Sequence, residues 1–175
     1  MPGSHLPRRR TDSAGLFRPS PGRIDSAPAL EPDVPDVPDV VRPALRSQAI
    51  QSDHEDNVLR LVNDVRKKAG LSPLSSDERL RAAARKHSKD MAARNFCTHV
   101  NPDGVTPSQR MSAAGYPSPG GENVACGQSN PHAVMTAWMN SPPHRANILN
   151  AEFRTLGVGV DLGRGGPYWT QNFGY

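Results

Sequence analysis

The chain has 175 residues and a formal net charge of +4. That length holds one domain with some chain to spare. The charge forms no basic stripe of the kind that tracks phosphates, which argues against a nucleic-acid binder, and no stretch approaches the ~20 apolar residues of a membrane-spanning helix.

Composition divides the chain. Residues 1–50 hold nine of the 18 prolines and no cysteine, tryptophan or tyrosine. A segment with so little apolar surface does not offset its chain entropy, so a disordered tail is predicted over residues 1–51, ahead of a domain over 52–175. In the tail, Arg8-Arg9-Arg10 reads as a solvated cluster in preference to a contact for an acidic surface. The PDVPDVPDV run from Pro32 to Val40 reads as a semi-rigid, polyproline-like linker in preference to a recognition peptide. No apolar segment of signal-peptide length follows the arginines. A wrong start site, a removed leader, unconventional export or a cytoplasmic protein would each account for that.

Ser52 and Glu55 stand in capping-box spacing, and Val58, Leu61, Val62 and Val65 follow as an apolar helical stripe. That helix should end at Gly70. A second box, Ser75 with Glu78, opens a helix whose Leu80, Ala83, Ala84, His87 and Met91 share one face. His87 thus falls on the buried stripe and is expected to bond backbone in the core and not to serve as a ligand. Thr106-Pro107 and Asn130-Pro131 each look like an N-cap followed by proline in the first turn, predicting helices to Ala114 and to Asn140. Ser141-Pro142-Pro143 breaks the chain before a short helical turn from His144 to Leu149, with Ser141 as its cap.

The period then changes. Leu156, Val158 and Val160 alternate with Thr155, Gly157 and Gly159 as in a strand. A glycine-rich turn follows, and Pro167–Phe173 reads as a second strand paired antiparallel with the first. Glu122–Ala125 supplies a third. Helices first and strands last give an α+β class.

Residues of functional type gather in four short stretches: Cys97-Thr98-His99, Gly121-Glu122-Asn123, Ser141–Arg145 and Tyr168–Gln171. Histidine with carboxylate suits a zinc site and equally suits general acid–base work. There is no HExxH, CxxC or GxSxG motif. The two cysteines, Cys97 and Cys126, allow one bridge or two free thiols.

These stretches resemble the bacterial type of the CAP superfamily (SCP-like; cysteine-rich secretory, antigen 5, pathogenesis-related 1). Phe96–Gly104, with His99 ahead of a Pro-Asp-Gly turn, is similar to one of its motifs. Gly121-Glu122-Asn123-Val124-Ala125 matches another, and Trp138–Leu149, with Ser141-Pro142-Pro143-His144-Arg145, matches a third. Leu156–Val160 and Tyr168–Gly174 match its closing strands. The resemblance implies an α–β–α sandwich with a small antiparallel sheet between helical layers. It also implies a mostly extracellular setting and a cleft lined by two His and two Glu that binds a divalent metal in some members. His99 and Glu122 fall on two of those four positions. Ser141 and Tyr168 stand where eukaryotic members have the second Glu and the second His, and His144 lies nearby.

A phenol is a poor zinc ligand near neutrality, so the tentative metal set is His99, Glu122 and His144, for Zn2+ or another divalent ion. The alternative is a metal-free network in which Glu122 caps backbone N–H groups and both histidines bond it. If the two motifs line one cleft, Cys97 and Cys126 come within bridging reach. Trp138 and Trp169 read as core residues with bonded N–H groups, Asn147 as a tie to backbone, and Arg145 as a partner for Glu122 or Glu152 or an ordinary surface residue. Three functions remain open: an extracellular or cell-envelope binding module for a lipid, glycan or peptide; a hydrolase using His99 or His144 with Glu122; and a purely structural secreted domain. A Ser141–His144 nucleophile pair is the weakest variant of the second. A monomer is expected, since no coiled-coil pattern or exposed apolar repeat argues otherwise.

Overall fold

The structure, a computed structural model, describes Pro38 and residues 41–175. The arginine cluster, nearly all of the PDV repeat and the rest of the predicted tail up to residue 37 lie outside the described residues.

The first helix, α1 (Arg42–Lys68), begins well before Ser52, with Val41 at the cap position and no side-chain cap bond. The capping-box reading of Ser52 and Glu55 is therefore corrected, and residue 52 lies inside α1. Glu55 is fully buried. Its carboxylate accepts from Arg85 Nε at 2.9 and 3.0 Å and from the Val160 backbone N–H at 3.3 Å. A tertiary ion pair put a glutamate at the spacing a local cap would use. The helix buries Val58 and Val62 and closes just before Gly70.

The second box is corrected too. Ser75–Ser76 is a two-residue strand, β1, and the cap of α2 (Glu78–Arg94) is Asp77. Its carboxylate accepts from the N–H groups of Arg79 at 2.9 Å and Leu80 at 3.3 Å, an arrangement worth ~1 kcal/mol. The remaining signals give elements close to those expected. Thr106 and Gln109 form a reciprocal capping box for α3 (Pro107–Ala113). Asn130 caps α4 (Pro131–Met139) through Ala133 N–H. Ser141 occupies the cap position of α5 (Pro142–Ile148), but its side chain makes no cap bond, contrary to expectation.

Three longer strands are present: β2 (Pro119–Cys126), β3 (Thr155–Asp161) and β4 (Tyr168–Gly174). The sheet order is β1-β3-β4-β2. β3 and β4 pair antiparallel, with Leu156 opposite Phe173 and Val160 opposite Trp169. β4 and β2 also pair antiparallel, with Glu122 opposite Asn172 and Val124 opposite Thr170. Only the short β1 runs parallel to its neighbour β3. Alternate residues on a strand face opposite sides, and the packing follows that rule. Leu156, Val158, Val160, Trp169 and Phe173 pack with Val58 and Val62 of α1, Val134 and Trp138 of α4 and Ile148 of α5. On the other face, Met91 of α2 packs with Val124 and Tyr168, and Leu80 and Ala83 pack with Met111 of α3 and with Tyr116.

The result is an α–β–α sandwich. Its second layer lies unusually close to the sheet. A side chain at Gly157 would collide with the α2 backbone at Leu80 and Arg81, and one at Gly159 with that at Ala84 and Arg85. Those two glycines, which give β3 its alternation, let α2 rest directly on the strand. Both tryptophans are fully buried, with indole N–H groups donating to the carbonyls of Val124 and Gln128 at 3.3 and 2.9 Å.

Candidate functional site

The site is built at the edge strand β2 and on the segment between α2 and α3. Within that segment, residues 97–105 carry His99 and are tied down from several sides. Cys97 and Cys126 form a disulfide, with Cα atoms 6.4 Å apart, joining the segment to the end of β2. His87 Nε2 donates to the Thr98 carbonyl at 2.9 Å. Asn101 accepts from the N–H groups of Asp103 and Val105 and donates to Asp90. Arg94 pairs with Asp103 at 2.8 Å.

These ties bring His99 to Glu122. His99 Nδ1 lies 2.9 Å from Glu122 Oε1, and Arg110 Nη2 donates to Glu122 Oε2 at 2.7 Å. The carboxylate and the guanidinium are buried, at 2% and 7% side-chain exposure, while the imidazole is 50% exposed. Arg110 also donates to the carbonyls of His99 at 2.8 Å and Val105 at 2.9 Å. One arginine from the short helix α3 therefore neutralises the buried carboxylate and fixes the backbone of the histidine that faces solvent. A buried carboxylate needs such partners. Sequence reading offered Arg145 as a partner for Glu122 or Glu152 or as an ordinary surface residue; the cation at Glu122 is Arg110. The signal that could have found it is indirect: the requirement for a cation at Glu122, and the place of Arg110 beside the core residue Met111.

β2 continues past the carboxylate to the opposite face. Asn123 donates to the His144 carbonyl at 3.1 Å and to Gln171 Oε1 at 3.0 Å. Asn147 donates to the Glu122 carbonyl at 3.1 Å and to Asn123 Oδ1 at 2.9 Å. A side chain at Gly121 would occupy the position of the Asn147 amide. The carbonyls of the edge strand are thus covered from α5 and α4, which suppresses strand addition there. Asn147 is the backbone tie expected from the sequence. Asn123 and Gln171, both fully buried, were in the stretches that sequence reading singled out but had no assigned role.

The other candidates divide. His144 is partly buried, and burial followed by the nearby His99 lowers its pKa, so it favours the neutral ring. It does not bond Glu122; its backbone is held by Asn123. The Ser141 hydroxyl makes no hydrogen bond to His144. Tyr168 is buried beside Met91 and Val124, and its hydroxyl reaches Asn95 Oδ1 at 3.4 Å. His87 is fully buried and bonds a backbone carbonyl, as expected for a core histidine.

A three-ligand metal set of His99, Glu122 and His144 does not fit this arrangement. Both carboxylate oxygens are committed, one of them to a guanidinium cation that would repel a metal ion. Among the described residues no group of three or more His, Cys, Asp or Glu side chains could hold one. Glu122 instead orients His99, as a carboxylate behind an imidazole does. The metal-free network is also revised: Glu122 bonds one histidine and one arginine.

A three-layer α–β–α domain with a His–Glu pair at its edge strand and a disulfide beside it is the class of protein defined so far. The sequence pattern of CAP, the Cysteine-rich secretory protein family, matches residues 59–173, and the chain belongs to that family. It is 43% identical to the uncharacterized protein YkwD of Bacillus subtilis over 123 residues, which are 70% of this chain and 47% of that protein. It is 35% identical to the uncharacterized membrane protein YlbC of the same organism, over 71% of this chain and 35% of that protein. The chain thus spans less than half the length of these relatives. An extracellular protein of Bacillus anthracis containing an SCP domain has a similar structure, with a TM-score of 0.68 and 32% identity, covering 81% of this chain and 44% of that one. An outer surface protein of Borrelia burgdorferi aligns with a TM-score of 0.61 and 25% identity, covering 66% of this chain and 87% of that one. No helix among the described residues is long and apolar enough to cross a membrane.

Proposed function

We propose that the domain is a binding module that works outside the cytoplasm, at or near the cell envelope, and takes a lipid, glycan or peptide at a cleft around His99. The observation that carries this reading is the asymmetry of the His99–Glu122–Arg110 network. Two members are buried and bonded to each other, while the third presents a half-exposed ring whose Nε2 is free to meet a ligand. Fixing one polar group on a rigid support is how a recognition site is pre-organised. The extracellular and outer-surface relatives support the location.

A second reading, a hydrolase, rests on the same pair. A carboxylate at His99 Nδ1 leaves Nε2 as a possible general base, the base-and-orienter half of a catalytic triad. Ser141 supplies no partner nucleophile, so water would have to be the attacking group.

The test uses the full chain and a His99→Ala variant, mixed with insoluble cell-wall material or with lipid vesicles and sedimented. Co-sedimentation that His99→Ala abolishes supports the binding module. Release of soluble fragments that requires His99 turns the reading to hydrolysis. Equal behaviour of the two proteins with wall and vesicles overturns both.

A further inference from the structure

The network around His99 fixes a proton as well as a position. A carboxylate only accepts hydrogen bonds, and a guanidinium only donates them. Glu122 Oε2 accepts from Arg110 Nη2 at 2.7 Å, and Oε1 lies 2.9 Å from His99 Nδ1. Nδ1 must therefore carry the proton, because two acceptors do not bond each other. In a neutral imidazole a protonated Nδ1 leaves Nε2 as a bare acceptor.

Charge balance favours the neutral ring. The guanidinium already matches the carboxylate, so the buried pair needs no second cation. The side chain of Arg110 is 7% exposed, and besides Glu122 it donates to the carbonyls of His99 and Val105. Its charge is satisfied inside the protein and is not presented to an anion. His144, whose pKa is lowered by burial and by the nearby His99, also favours its neutral ring. The exposed Arg145 lines a separate hollow with Met139, Pro142 and Leu149. What the half-exposed imidazole presents is one uncharged acceptor.

We propose that Arg110 and Glu122 are positioning residues that hold the His99 proton on Nδ1, so that the site recognises its ligand by an uncharged hydrogen-bond donor, a hydroxyl group of a glycan. The proposal rests on the binding-module reading and names the ligand chemistry for it. A glycan carries several free hydroxyl groups on each sugar ring and needs no cation. A phospholipid headgroup leads with its phosphate, an acceptor, which would face the lone pair of Nε2. A peptide backbone has one N–H per residue, recessed between its side chains.

The first test reads the proton. In the full chain labelled with 15N in histidine, at about pH 8, where an imidazole is ordinarily neutral, NMR should show His99 with a protonated Nδ1 and a bare Nε2. Glu122→Gln should reverse this. Arg110 requires an acceptor, so the new amide turns its oxygen to Arg110 and its NH2 group to His99. Nδ1 then accepts, and the proton moves to Nε2. A purely structural role for Glu122 would lower the unfolding midpoint and leave the tautomer alone.

The second test reads the ligand. Cell-wall material is compared before and after acetylation of its hydroxyl groups, which removes those donors and keeps acceptors and amides. Acetylation should weaken retention of the parent protein about tenfold, as for the loss of one hydrogen bond. Vesicles of phosphatidylglycerol should not retain it. Both measurements on the parent stand even if Glu122→Gln fails to fold. A bare Nδ1 in the parent, or an unchanged tautomer in a folded Glu122→Gln, would overturn the proposal and leave the binding module standing. His99-dependent retention that survives acetylation would mean that an amide or a charged group is the ligand, and would overturn it too. Retention that ignores His99 would remove the binding reading itself, and this proposal with it.

Discussion

Glu55 and Glu122 are both buried carboxylates, and the two regions that hold them use the same residue differently. Glu55 sits between α1, α2 and β3, where Arg85, Arg81 and the Val160 N–H surround it. Its partners tie one helix to another and to the sheet. Glu122 sits on the edge strand, and one of its two partners is a histidine half open to solvent. Burial alone does not distinguish the two carboxylates. What separates them is whether the network ends inside the protein or leads out of it.

The sharpest way to break this comparison is at Glu55. Glu55→Ala removes the partner of two arginines and leaves a void, and should lower stability by about 4 kcal/mol, the range for breaking a buried pair. Urea unfolding measures this, and ligand retention by the folded fraction should be unchanged. The disulfide comes next. It closes a loop of 29 residues, and replacing Cys97 and Cys126 by alanine should cost about 3 kcal/mol. Since it also anchors the segment that carries His99, binding should weaken with it. Glu122→Gln keeps the shape but removes the charge opposite Arg110. It should cost about 2 kcal/mol, as for a hydrogen bond to a charged group, and should lose binding entirely. A Glu122→Gln protein that binds normally would place Glu122 in the same structural class as Glu55.

The smallest effect is on pH dependence. Burial lowers the pKa of His87, and burial with the neighbouring His99 lowers that of His144. The unfolded chain takes up these protons first, near its ordinary value of 6.5. Stability from the two rings is therefore present above about pH 6.5 and is lost as pH falls toward the lowered native values. Unfolding midpoints between pH 7.5 and 5 should fall with this sign, and His87→Gln should flatten the slope.

Much of the fold was legible because its signals are local. Thr106 and Asn130 cap helices within three residues of themselves, and the alternation in β3 reads directly as a strand. The errors came where distant parts of the chain decide. Ser52 and Glu55 look like a cap only until Arg85 arrives from α2. Ser75 looks like a cap, but β3 recruits it as a strand and passes the cap to Asp77. β1, at two residues, carries no pattern of its own. The site divided in the same way. His99 and Glu122 stood out as motif residues, and the structure places them 2.9 Å apart. Arg110 did not stand out, because an arginine on a seven-residue helix resembles any solvated one until the buried carboxylate it meets is located.

The central claim is that the His99 pair serves recognition and not folding. The most direct measurement is the unfolding midpoint of His99→Ala beside its retention on cell-wall material or vesicles. Removing the half-exposed ring lets water reach Glu122 Oε1 in its place, so the account predicts a midpoint drop smaller than that of Glu122→Gln, under about 2 kcal/mol, and a loss of retention. A large drop in the midpoint with retention intact would contradict it and would place His99 with Glu55 as part of the scaffold.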